Sequence, residues 1–165
     1  MVIASCFALG VMPTSATYGA EKVGNPAPHL VVKPLSGAEF DLSAQTTKVI
    51  IVHFWATWCP PCRKEMSILS EIYQQYHARG LELIALSVDR PRELDEVRKA
   101  AREWTFAVAM LSDATTNEFG SPASLPMTYI IDQKGFILQI FKSDGTELSK
   151  STLNNLLDTL LPKQR

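Results

Sequence analysis

Uninterrupted apolar runs alternate along this chain with segments whose apolar positions recur every three to four residues. Val49 to Trp55 is apolar at every position except His53, the pattern of a central strand covered on both faces. In Arg63 to Arg79, which follows, Met66, Leu69, Tyr73 and Tyr76 are spaced to paint one face of a helix, and Gly80 supplies the stop. Leu81 to Val88 reads as a second buried strand. Pro91 to Trp104 reads as a charged helix with its proline in the first turn, and Phe106 to Leu111 as a third, short strand. Gly120 to Pro126 is a loop. Met127 to Asp132 and Phe136 to Phe141 flank the turn Gln133-Lys134-Gly135 as a hairpin. Glu147 to Leu161 is the closing helix, with Leu153, Leu156, Leu157, Leu160 and Leu161 on one side. Ahead of these, Gly24 to Pro28 is a connector, and His29 to Leu42 carries two short apolar segments around Ser36-Gly37, a predicted β-hairpin. Strand, helix, strand, helix, strand, then a hairpin and a last helix predict an α/β fold: a mixed central sheet with helices on both faces, in one domain over residues 24–165.

Residues 1–23 stand apart. The first twenty hold no charged side chain, and Val2 to Met12 is an apolar stretch of eleven residues, too short to span a bilayer as a helix. Pro13 breaks it, and Thr14-Ser15-Ala16 puts small residues at the positions a signal peptidase reads. A secretory leader cleaved near Ala16 is the expectation, although no Lys or Arg precedes the apolar run. Ile3-Ala4-Ser5-Cys6 is a lipoprotein-like alternative, with lipid attached at Cys6. The destination is then periplasmic or otherwise extracytoplasmic.

Composition narrows the chemistry. With 46% apolar residues the chain builds a real core, and a net charge of −1 gives no electrostatic case for nucleic acid. Outside the leader the only cysteines are Cys59 and Cys62, a pair too close together to be a framework of structural bridges and suited to catalysis or metal binding. Metal would need further ligands, and His29, His53 and His77 show no ligand spacing.

The pair sits in Phe54-Trp55-Ala56-Thr57-Trp58-Cys59-Pro60-Pro61-Cys62, where a strand ends and a helix opens. A thiolate is the attacking species in disulfide exchange, and a helix N-terminus lowers a thiol pKa from about 8.5 through its unsatisfied amides. Cys59 falls at the N-cap, since the residue before a proline favours extended geometry, and Pro60 fits the first helical position. Pro60 and Pro61 lack N–H groups, so the Cys62 amide becomes the principal donor to the Cys59 sulfur, and acidification is expected to be moderate. Cys62, one turn in and shielded, is placed to resolve a mixed disulfide.

With Arg63-Lys64-Glu65 included, this segment closely resembles thioredoxin-like proteins of the TlpA/ResA type, exported thiol–disulfide oxidoreductases often linked to cytochrome c maturation. The resemblance runs over roughly residues 24–161, through the N-terminal hairpin and Leu125-Pro126-Met127-Thr128-Tyr129-Ile130-Ile131-Asp132. It implies a thioredoxin-like fold with an N-terminal β-hairpin extension and catalytic Cys59 and Cys62. It also implies a cis proline at Pro126 packed beside them, and substrate backbone pairing at Leu125. Glu65 matches an acidic position near the active site, and Trp58 a partly exposed tryptophan that contacts partners. His53 departs from the family, which places aspartate or asparagine there. With an unperturbed pKa of about 6.5, it could accept a proton from Cys62 near neutral pH.

The predicted activity is reduction of protein disulfides outside the cytoplasm by a monomer. No cofactor is needed beyond the redox-active Cys59–Cys62 disulfide. Its partners are protein dithiols and disulfides, with a membrane thiol carrier as electron donor. The alternative is a non-enzymatic module that holds copper or apocytochrome thiols. A peroxidase reading is weaker, because the proline–threonine setting of peroxiredoxins is missing upstream of the pair.

Overall fold

A computed structural model describes residues 22–143, 145 and 148–163. The proposed leader, with Cys6 and Ala16, and the expected helix start at Glu147 lie outside the described residues. The strands are β1 (Leu30–Val32), β2 (Phe40–Asp41), β3 (Val49–Trp55), β4 (Leu81–Ser87), β5 (Ala107–Met110), β6 (Ala114–Asn117), β7 (Met127–Ile131) and β8 (Ile137–Lys142). The α-helices are α1 (Pro60–Tyr76), α2 (Leu94–Ala101) and α3 (Lys150–Leu160).

Five strands form the main sheet in the order β5-β4-β3-β7-β8. β3, β4 and β5 are parallel, and β7 and β8 run antiparallel to their neighbours. The central place of β3 explains its composition, since all seven of its residues are buried. Its odd positions Val49, Ile51 and Trp55 pack with Cys62, Met66, Leu69 and Ile72 of α1. Its even positions Ile50, Val52 and Phe54 pack on the opposite face with Leu30, Phe119 and Tyr129.

One architectural expectation is corrected. Buried residues of α1, α2 and α3 all belong to the first of these clusters, whereas the other face is covered by the small sheet β2-β1-β6 and its flanking loops. The helices therefore flank one face. The right-handed crossovers β3-α1-β4 and β4-α2-β5 step in the same direction across the sheet, which puts both helices on the same side. The predicted N-terminal hairpin is present, with Val32 opposite Phe40. β1 also pairs with β6, a strand that the hydrophobic pattern does not predict.

Helix ends follow local chemistry. Gly80 stops the turn after α1 at φ +103°, its amide bonded to the His77 carbonyl, a conformation that costs glycine little. Ser149 caps α3, its hydroxyl accepting from the Thr152 amide at 3.1 Å. Ser149→Ala is expected to lower unfolding free energy by about 1 kcal/mol, read from a urea melt, with exchange activity retained.

Candidate active site

The apolar run of β3 ends at Trp55, and the chain turns through Ala56–Trp58 into α1. Cys59 is the N-cap, in extended backbone conformation at φ −101° and ψ 99°, and Pro60 and Pro61 open the helix. The Cys59 sulfur accepts from the Cys62 amide at 3.3 Å, the donor left by the two prolines. Cys59 and Cys62 are joined as a disulfide. Cys62 is fully buried and Cys59 is 5% exposed, so the sulfur nearer solvent is also the one capping the helix.

Cys59 lines a groove of about 540 Å³ together with Trp58, Pro60, Val88 and Leu125 among others. Trp58 is 64% exposed, so it stands as a wall of the groove and contributes little to the core. Trp55 does the reverse. It is fully buried and meets Trp104 edge-on, with centroids 5.1 Å apart. The Leu125–Pro126 peptide is cis. Leu125 faces the groove, while Pro126 lines a second hollow with Pro61, Lys64, Glu65 and Lys142. Pro61 lines both, so the first turn of α1 lies between an apolar groove and a more polar one.

His53 lies on the face of β3 that α1 covers, and it is fully buried. In the β3–β7 ladder it stands directly opposite Thr128, and its Nδ1 is 2.8 Å from the Thr128 hydroxyl. The Glu65 carboxylate is 3.9 Å from the same Nδ1, a spacing that would make an ion pair with a protonated ring. Burial acts against protonation: desolvation pushes the His53 pKa down from 6.5 to about 3. The Glu65 carboxylate therefore neighbours a neutral ring. An inflection near pH 6.5, expected from the unperturbed imidazole, is displaced far to the acid side. Nε2 has no hydrogen-bond partner among the described residues.

The residues expected from sequence are thus brought together around one helix terminus: Cys59, Cys62, Glu65, His53, Trp58, Leu125 and Pro126. Thr128 was missed. The signal was there, because Thr128 and His53 are lone polar residues in two otherwise apolar strands, and buried polar groups seek one another. Thr57 and Asp89 were missed as well. Thr57 donates through its amide and its hydroxyl to the Asp89 carboxylate at 2.9 and 2.6 Å, a pairing across 32 residues with no local signature. No group of three His, Cys, Asp or Glu among the described residues is arranged to hold a metal ion. No described helix is long and apolar enough to cross a membrane.

Comparison with known proteins agrees with this geometry. A model described as the AhpC/TSA family matches residues 23–140. The chain is 33% identical over 146 residues to a protein of Geobacillus thermodenitrificans named thiol-disulfide oxidoreductase ResA, covering 87% of this chain and 80% of that protein. A Bacillus subtilis protein of the same name is 26% identical over 153 residues, covering 91% and 86%. Among solved structures, a thiol:disulfide interchange protein of the thioredoxin family from Chlorobium tepidum superposes with a TM-score of 0.65 at 23% identity, covering 86% of this chain and 99% of that one.

Proposed function

This chain belongs to the AhpC/TSA family, and on that premise we propose that it reduces disulfides of protein substrates outside the cytoplasm. It is a thiol–disulfide oxidoreductase of the thioredoxin-like, ResA type. The direction of electron flow, the location and the catalytic assignments are our reading.

The observation that carries the reading is the Cys59 sulfur at the N-cap of α1, bonded to one amide, in a residue that lines an apolar groove. A helix N-terminus favours the thiolate, so Cys59 is the nucleophile and the buried Cys62 the resolving thiol. A dithiol becomes a strong oxidant when its reduced form is strongly stabilised. With Pro60 and Pro61 removing two amides, such stabilisation is limited, and the pair favours giving electrons away. Leu125 offers backbone to an extended substrate, Trp58 offers an apolar wall, and the cis Pro126 lines a hollow with Pro61, next to the cysteine turn. Electrons return to the oxidised pair from a membrane thiol carrier, and the enzyme works as a monomer. The apolar, charge-free stretch at residues 2–12 supports export.

Redox titration of the Cys59–Cys62 pair, alongside insulin reduction, tests the direction. The expected midpoint lies near the thioredoxin value of about −270 mV, and well below the roughly −120 mV of a dedicated oxidant. A midpoint at the upper figure would reverse the proposed flow. Failure to turn over insulin, with tight stoichiometric Cu(I) binding in its place, would favour the copper-holding alternative.

A further inference from the structure

Asp89 follows β4 and is 4% exposed, yet no cation pairs with it among the described residues. Its charge is met by hydrogen bonds alone. Oδ2 accepts from the Thr57 amide at 2.9 Å and from the Ser87 hydroxyl at 2.6 Å, and Oδ1 accepts from the Thr57 hydroxyl at 2.6 Å. The Ser87 oxygen in turn accepts from the Asp89 amide at 3.1 Å. Thr57 stands two residues before Cys59, and Val88, between Ser87 and Asp89, lines the same groove as Trp58 and Cys59. The Val88 amide is bonded to the Trp55 carbonyl at 2.9 Å, closing the other side of the turn.

A carboxylate held by three short donors is one of the stiffer links available to a loop, because charge-assisted bonds in a water-poor site are strong and directional. We propose that Asp89, acting through Thr57, is a positioning residue that fixes the Cys59 sulfur at the helix terminus and holds its turn against Val88 across the groove. This inference rests on Cys59 being the nucleophile. The same carboxylate brings a negative charge to the turn that carries that sulfur, bonded to Thr57 two residues before it, and its effect there depends on how fully Thr57 and Ser87 neutralise it.

That dual role makes a test with two opposite signs. Thr57→Val keeps the shape but withdraws the hydroxyl donor, so the turn loosens and more of the Asp89 charge bears on the sulfur. Asp89→Asn loosens the turn too, since its amide keeps one acceptor oxygen and sets an NH2 donor where the other oxygen accepted, but it removes the charge. In the reduced full-length protein, Cys59 is alkylated with iodoacetamide across pH, its thiolate attacking carbon and expelling iodide. The plateau rate is expected to rise severalfold in both variants, because a looser turn uncovers a residue that is only 5% exposed. The pH midpoint should rise in Thr57→Val and fall in Asp89→Asn, and Thr57→Ser should restore the wild-type profile. His53 on β3 and Lys64 and Glu65 on α1, the other titratable groups around the pair, are unchanged in all three.

Loss of thermal stability with an unaltered alkylation profile would overturn the proposal, as would midpoints that move the same way in both variants. If Asp89→Asn fails to fold, Thr57→Val against Thr57→Ser decides alone: a profile shared by those two refutes it. Failure of the broader reading looks different, because wild-type protein would then leave insulin unreduced whatever the variants do.

Discussion

Cys62→Ser is expected to freeze the reaction half-way, with Cys59 covalently attached to its substrates. In the proposed cycle the Cys59 thiolate attacks one sulfur of a substrate disulfide, and the other substrate sulfur leaves as a thiolate and takes a proton. Cys62 then gives up its proton and attacks the Cys59 sulfur, which releases the second substrate thiol and leaves the enzyme oxidised. Two electrons pass to the substrate. A serine hydroxyl is too weak a nucleophile to perform the second attack. Multiple turnover of insulin should fall by about three orders of magnitude, the size typical when one member of a catalytic unit is removed. Complexes sensitive to dithiothreitol should accumulate on non-reducing gels. Cys59→Ser should lose turnover equally and form no complexes, because the residual thiol at 62 is fully buried. Equal trapping by both variants would show that the roles of the two sulfurs are not divided as proposed.

That division is legible in the amino-acid sequence because its determinants are local. A buried strand, two prolines after a cysteine and a helix of period 3.6 specify an N-cap sulfur and a shielded partner without reference to distant residues. What the sequence hides depends on tertiary pairing. Ala114-Thr115-Thr116-Asn117 has no apolar alternation, and β6 exists because β1 presents an edge to it. Tyr73 falls on the predicted apolar face of α1, yet it is only half-buried and its hydroxyl donates to Glu82 at 3.2 Å, while Ile72 takes the buried place. The single-sided arrangement of the helices follows from strand order, which no segment encodes alone. His53 is visible as an oddity, but its neutral state is not, because that depends on total burial.

The largest effect expected on stability comes from that burial. His53 is held near a pKa of about 3 in the folded protein, against about 6.5 in an unfolded chain. Between those values the unfolded chain binds a proton that the folded protein refuses, so acidification favours unfolding. The stabilisation from keeping His53 neutral is complete above pH 6.5 and declines as pH falls toward 3, by about 1.4 kcal/mol per pH unit. From pH 7 to 4.5 the wild type should therefore lose about 2–3 kcal/mol more than His53→Asn, measured as the difference in urea unfolding free energies. Surface carboxylates such as Asp41 and Asp158, both lowered by hydrogen bonds, titrate in both proteins and cancel in that difference. Parallel acid profiles would mean that His53 is not buried neutral.

The same low pKa reshapes the proposed kinetic role of His53. An imidazole that resists protonation cannot store the Cys62 proton, although it can relay one if Nδ1 releases its own toward Thr128 and Glu65 while Nε2 receives. Asparagine at 53 would break that relay, so disulfide release should slow by about tenfold without losing any inflection near neutral pH. Slowing without a change in pH profile, together with the lost acid sensitivity, distinguishes a neutral relay from a titrating base. Release as fast as in the wild type would leave His53 with a packing role only.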